Sequence, residues 1–263
     1  MNYETIIYEK EEGIATITFN RPEVRNAENY QMAKELRAAV EDARDDDEVK
    51  VLIVTGAGKA FHAGLDLKRV FLAEDRAKIK AAEKLEQLKG IHRSSRFDGF
   101  YKPVIAAVNG PAMAAGFSIA ISCDIRIASE NAKFGYAYVL RNLAGGVPGM
   151  LWLPHIVGLP RALEMMFSGE TVDAAEALRI GLVNKVVPHD KLMDEAKELA
   201  RKLMNGAPIA QQLIKRAVYK ALQDPSTIVD FMAPTAFALQ ETEDHLEGTK
   251  AFTEKRKPVY KGR

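Results

Sequence analysis

Residues 51–67 read VLIVTGAGKAFHAGLDL, and residues 104–120 read VIAAVNGPAMAAGFSIA. Each stretch begins as a short, unbroken apolar run, passes through a glycine-bearing turn and ends in a segment suited to open a helix. Apolar runs without polar alternation belong to strands covered on both faces, the situation of a parallel sheet between helices. Towards the N-terminus, residues 5–8 and 14–19 are β-rich and flank the charged, Gly13-containing turn at 9–13, an opening hairpin. Met32, Leu36, Ala39 and Val40 recur at helical spacing within 29–44, ahead of the acidic run 45–48. The pattern continues with a helix over 74–96, a strand over 102–108, a helix over 115–122 and a strand in DIRIA at 124–128. Strand and helix alternate, which predicts a largely parallel sheet joined by right-handed crossovers.

Beyond Pro148 the pattern turns helical, with helices predicted over 161–167, 174–180, 191–204, 209–222 and 227–246 and one apolar run at 182–187. No linker-like tract divides the chain. The expected organisation is an α/β core over residues 1–200 and a helical lobe over 201–263 that packs on the core or on a neighbouring subunit.

The 263 residues carry 37 Lys+Arg against 36 Asp+Glu. A balance this close to neutral supplies no basic field, so nucleic acid and a polybasic membrane anchor are not expected partners. The first 30 residues are broken by charges and hold no signal-peptide core, and no run reaches the length of a spanning helix. The single cysteine, Cys123, sits in an apolar run as a small hydrophobe. Cytoplasm and a small-molecule partner are the expectations that follow.

Glycine-bearing turns that open helices are where free backbone N–H groups converge on an anion, and ligands of parallel α/β sheets gather at the carboxyl ends of the strands. Such turns also serve as plain chain punctuation. The first is no phosphate loop, because Gly56-Ala57-Gly58-Lys59 is followed by Ala60 and lacks the GxxxxGK[ST] spacing. Nor is it a dinucleotide fingerprint, since Phe61 falls where the third glycine belongs.

Together with ATITFNRPEVRNAEN at 15–29, SGETVDAAEALRIGLVNKVVP at 168–188 and EDHLEGTKAFTEKRKPVYKG at 243–262, the two turns resemble the crotonase superfamily, the enoyl-CoA hydratase/isomerase family, over nearly the whole chain. The resemblance implies a crotonase, ClpP-like fold of repeated ββα units, a helical C-terminal trimerisation lobe, and trimers that often pair into hexamers. It implies an acyl-CoA thioester as substrate, a lyase-type reaction, no separate cofactor and no metal. Carried over by motif, the oxyanion hole is the backbone N–H of Leu65, in Ala63-Gly64-Leu65-Asp66, and of Ala115, in an Ala114-Ala115-Gly116 segment where the family usually has three glycines. A thioester carbonyl becoming an enolate needs two such donors, each worth roughly 3 to 4 kcal/mol of transition-state stabilisation. Arg25 and Ala27 are implied along the CoA nucleotide, Ala63, Asp66 and Leu67 around its adenine and pantetheine arm, His62 beside the acyl arm, and Lys255 on a CoA phosphate.

Hydratases of the family pair two glutamates, one to take a proton from water and one to deliver a proton to carbon. By the same carry-over those positions fall here on Ser118 and Tyr138, neither a base at neutral pH: a phenol of pKa about 10 is ionised to roughly one part in a thousand. The segment 144–149, AGGVPG, also departs from the family's Pro-Gly-x-Gly-Gly run, and Trp152 replaces a usual arginine. As purely structural residues, Ser118 would bond its own helix backbone and Tyr138 would be a core aromatic. Decarboxylation of a malonyl-type CoA fits a site without a carboxylate, because loss of carbon dioxide itself creates the enolate. A specialised hydratase, an acyl-CoA hydrolase or ring-modifying C–C lyase with a histidine base (His62, His92, His155, His189 or His245), and a silent CoA-binding subunit are the alternatives.

Overall fold

The computed structural model describes residues 3–70, 77, 78, 81, 84, 97 and 99–263. The chain opens with a hairpin of β1 (Ile6–Glu11) and β2 (Ile14–Phe19). Glu12 and Gly13 turn it at φ 50° and 80°, the left-handed pair whose twist suits an antiparallel hairpin. Helix α1 (Tyr30–Asp45) starts where the Asn29 side chain accepts the Met32 N–H at 2.8 Å, a cap for one of the orphan donors of the first turn. Next come β3 (Val51–Gly56), the short α2 (Leu67–Val70), β4 (Val104–Val108), β5 (Pro111–Met113), α3 (Ala115–Ser122), β6 (Ile125–Ser129) and β7 (Lys133–Gly135). The remainder holds α4 (Val147–Val157), α5 (Leu159–Ser168), β8 (Thr171–Asp173), α6 (Ala174–Arg179), β9 (Lys185–Val187), α7 (Leu192–Leu203), α8 (Pro208–Gln223), α9 (Thr227–Gln240) and α10 (Glu243–Thr253).

The main sheet runs β1-β2-β3-β4-β6-β9, parallel at every pairing except the hairpin. At β3 and β4 both faces are covered, and residues alternate between them. Leu52, Val54, Ala106 and Val108 face a core shared with Met32 and Leu36 of α1 and Phe117 of α3. Val51, Ile53, Ile105 and Ala107 face Leu192, Ala196 and Ala200 of α7. Burial on both sides is why these strands read as unbroken apolar runs. A second, three-stranded sheet, β5-β7-β8, continues from the exit of β4 and holds the start of α3.

The fold is mixed α/β with a helical C-terminal region, as the sequence predicts. In detail it differs in three places. The helix expected over 227–246 is two helices, because the Thr242 side chain accepts the His245 N–H and starts α10 anew. Helix α4 lies outside the helices that the sequence predicts; Pro148 lies in its first turn, where a missing N–H costs nothing, but Pro154 inside it interrupts the pattern. The second sheet leaves no pattern in the sequence either, its strands being three residues long. The helix expected over 74–96 lies largely outside the described residues. Among the described residues no helix is long and apolar enough to cross a membrane.

The C-terminal helices are tied to the core just after α3. Asp124 accepts from Lys215 Nζ and the Tyr219 hydroxyl of α8, each at 2.8 Å, and from the Val104 N–H at 2.7 Å. Trp152 of α4 meets the Tyr219 ring edge-on at 4.9 Å.

Candidate active site

The turn after β3 is held by two asparagine side chains rather than by a regular ladder. Asn26 is fully buried, and its Nδ2 donates to the carbonyls of Ala57, Ala60 and Phe61 at 3.0, 2.8 and 3.2 Å. From the end of β4, Asn109 accepts the Gly56 N–H at 3.2 Å and donates to Gly58 O at 3.0 Å. Buried carbonyls in an irregular segment need such partners. Neither asparagine carries a motif in the sequence; only Asn109, directly after β4, stands where an apolar run has just ended.

The segment that follows is pinned on both sides. Ala63 N–H donates to Arg25 O at 3.0 Å, Glu28 N–H to Gly64 O at 2.8 Å and Asp66 N–H to Glu28 O at 2.8 Å. A trans peptide is planar and carries its C=O and N–H in opposite directions. With Gly64 C=O held towards residue 28, the Leu65 N–H points away from it, and no backbone acceptor among the described residues takes it. Across the gap, Ala114 N–H donates to Gly135 O and Ala114 O accepts the Ser118 N–H, both at 2.9 Å. The Ala115 N–H therefore projects from the start of α3, where helix geometry leaves the first donors unpaired and the dipole positive.

Gly64, the residue just before the first donor, lies against the segment that carries the second. A Cβ on Gly64, whose φ is +98°, would lie 3.7 Å from Ala115 N and 3.2 Å from both Ala114 Cβ and Met113 O. Gly116 is required for a different reason: its Cβ would fall 2.1 Å from the His62 carbonyl oxygen, so only glycine lets α3 seat against residue 62.

One turn into α3, Ser118 Oγ stands 3.3 Å from the Tyr138 hydroxyl. The two residues singled out by the sequence thus meet, although they lie twenty positions apart. Ser118 is buried and Tyr138 half-buried. Tyr136 shapes this wall: its ring lies edge-on to Tyr138 at 4.9 Å, and its hydroxyl donates to Ala144 O at 3.1 Å. Burial pushes its phenol up to about 12, with the neighbouring Tyr138 adding to the effect. Cβ atoms on Gly145 or Gly149 would collide with the Tyr136 ring or hydroxyl at 2.1 Å, which accounts for the glycines of the 144–149 segment.

The other expected residues differ in exposure and contacts. Ala27 is buried, and its carbonyl accepts from Arg21, whose other guanidinium nitrogen pairs with Asp66 at 3.1 Å. Arg25 is exposed at φ 55°, Ala63 is half-buried, and Leu67 is 39% exposed at the start of α2. Lys255 is exposed beyond α10. The expectation that His62 lines the acyl arm meets a ring with no exposed surface; it packs edge-on against Phe19 at 4.9 Å. His155 and His245 are exposed on α4 and α10, the His189 ring faces Ser129 Oγ at 3.4 Å, and His92 lies outside the described residues. Burial pushes the Cys123 thiol up, so it stays protonated and is no nucleophile. Trp152 packs against Tyr219 of α8.

Two fixed backbone donors at the exits of a parallel sheet can hold an oxygen that gains negative charge, and the chemistry this permits is that of enzymes passing through an enolate or similar oxyanion. The chain belongs to the enoyl-CoA hydratase/isomerase family, whose model matches residues 9–263. It is 40% identical to a short-chain-enoyl-CoA hydratase of Clostridium acetobutylicum, over 98% of this chain and 97% of that protein. Identity to a crotonyl-CoA hydratase of Syntrophomonas wolfei is 38%, over 98% of each. Among solved structures, an enoyl-CoA hydratase from Bacillus anthracis superposes with a TM-score of 0.89 at 32% identity, over 99% of this chain and 100% of that one. The fold is therefore the crotonase fold, and the protein is an acyl-CoA-processing enzyme of that superfamily.

Proposed function

We propose that the protein forms an acyl-CoA enolate held by the Leu65 and Ala115 N–H groups, and that it does so by decarboxylating a malonyl-type thioester rather than by a glutamate-assisted addition of water. The observation that carries this reading is the hydroxyl pair: Ser118 Oγ and Tyr138 OH, 3.3 Å apart, one helical turn from the Ala115 donor. In this reading they stand where the family's hydratases place glutamates. Breaking the bond between the α-carbon and the carboxylate releases carbon dioxide and leaves its electron pair as the enolate. No base is consumed in that step, and a resident carboxylate would repel the anionic substrate. Tyr138 then gives its phenolic proton to the α-carbon and regains one from water, so the net reaction takes up one proton. Ser118 holds Tyr138 and the departing carboxylate. Arg25, Ala27, Ala63, Asp66 and Leu67 form the CoA channel, and Lys255 reaches a CoA phosphate, by family resemblance.

Replacing Tyr138 by Phe is expected to lower turnover by about a hundredfold, the scale of a lost general acid, while acyl-CoA affinity stays within about twofold. Unchanged turnover would contradict the role. Specialised hydration is the second reading, favoured by the names of the relatives. We also propose that the protein assembles as a homotrimer or a dimer of trimers through its C-terminal helices, which expose Val229, Phe237, Leu246 and Phe252.

A further inference from the structure

His62 is the residue in which both donor loops meet. Its backbone is zipped to β5: the His62 N–H donates to Pro111 O at 3.1 Å, and the Met113 N–H donates to His62 O at 3.0 Å. That strand runs directly into Ala114 and the Ala115 donor. Its carbonyl also forms the floor on which Gly116, in the first turn of α3, is seated. The side chain acts on the other loop, because Nδ1 accepts the Gly64 N–H at 3.1 Å. An acceptor at Nδ1 makes the ring neutral, with its proton on Nε2.

The Gly64 bond matters because of where it falls in the chain. Gly64 sits at φ +98°, a conformation with ample freedom for glycine. Two peptide planes flank it. The plane carrying Gly64 O and Leu65 N is set by Glu28 N–H, and the plane carrying Gly64 N is set by His62 Nδ1. Fixing both removes the φ and ψ freedom of Gly64 and with it the swing of the Leu65 N–H. A ring buried against Phe19 and with no exposed surface is itself unable to turn away.

We propose that His62 is a positioning residue: its Nδ1 holds Gly64 so that the Leu65 N–H stays aimed at the oxyanion, while its backbone fixes the distance to the Ala115 donor. The inference rests on the Leu65 and Ala115 reading of the site and assigns the buried imidazole a role in catalysis without contact with the substrate. It differs from the expectation that His62 lies along the acyl arm.

The test uses the full-length protein and butyryl-CoA labelled with heavy carbon at its thioester carbonyl, a ligand with neither a double bond nor a carboxylate to lose. Infrared difference spectra report the carbonyl stretch, which falls in frequency as the donors polarise it. Asparagine places an oxygen close to the position of Nδ1, whereas glutamine places one near Nε2 and leucine offers none. Wild type and His62→Asn are expected to show the full downshift. His62→Leu and His62→Gln are expected to lose about half of it and to bind butyryl-CoA within about threefold of wild type. Turnover should then fall about tenfold or more with KM unchanged, since a small misplacement at a reacting centre has effects of that order. Should leucine prevent folding, the comparison of asparagine with glutamine decides alone. Equal spectra for asparagine and glutamine would overturn the role of Nδ1. A wild-type protein that binds butyryl-CoA with no downshift would instead overturn the oxyanion reading itself, so the two failures are distinguishable.

Discussion

Ala114 holds φ 47° and ψ −110° at the N-terminal boundary of α3, a region that glycine enters freely and alanine enters at a cost of about 1–3 kcal/mol. The strain is tolerated because Ala114 is fixed at both ends, by the bond from its N–H to Gly135 O and by the first turn of α3. Ala114→Gly is expected to relieve it. Glycine's extra freedom in the unfolded chain returns about 0.5–1 kcal/mol of the gain, leaving a net stabilisation of about 1 kcal/mol in chemical denaturation. A lower midpoint for the variant would show that the alanine methyl packs well enough to offset its backbone. The opposite substitution, Gly64→Ala, meets φ +98° and contacts at 3.2 Å and should destabilise. At this scale the sequence was informative about chemistry but not about geometry. Motif resemblance singled out Ser118 and Tyr138, which the structure brings to 3.3 Å. It did not show that His62 turns inward, because one histidine in an AFHAG turn carries no signal for which way its ring faces. Asn26 and Asn109 are illegible for the same reason: a side chain that replaces backbone partners looks, in sequence, like any loop asparagine.

The elements that were legible are those whose pattern one physical rule controls. β3 and β4 are covered on both faces and read as apolar runs; α1 shows one buried stripe through Met32, Leu36, Ala39 and Val40. Elements set by tertiary contacts were not legible. β7 exists because it pairs with β5 on one side and β8 on the other, at three residues apiece. The break between α9 and α10 depends on a single capping threonine. Helix α4 forms despite Pro154, with Trp152 and Leu153 buried. The connection between α3 and the C-terminal helices was equally hidden. Asp124 faces Lys215, ninety-one positions away, across an ion pair of 2.8 Å whose partners are mostly buried, and neither residue type marks itself as anything but a surface charge in the sequence.

For the whole molecule, the C-terminal helices leave several large apolar side chains uncovered. Phe237 is 72% exposed and Phe252 87%, and aromatic side chains are enriched on surfaces that meet a partner. Sedimentation is expected to show a trimer or a multiple of it, and the double variant Phe237→Asp/Phe252→Asp is expected to shift the population towards monomer. A wild-type protein that sediments as a monomer at micromolar concentration would contradict the proposed assembly. Above assembly stands the reaction, where the family fold, the two aimed N–H groups and the hydroxyl pair make separate demands on the substrate. The decisive measurement is product mass spectrometry after incubating the protein with malonyl-type, enoyl- and cyclic acyl-CoA thioesters in isotopically labelled water. Loss of carbon dioxide from a malonyl-type thioester, with no labelled oxygen gained by the enoyl-CoAs, is the expected result. Labelled water added to an enoyl-CoA, with the malonyl-type thioesters left intact, would contradict the carboxylate-free enolate mechanism.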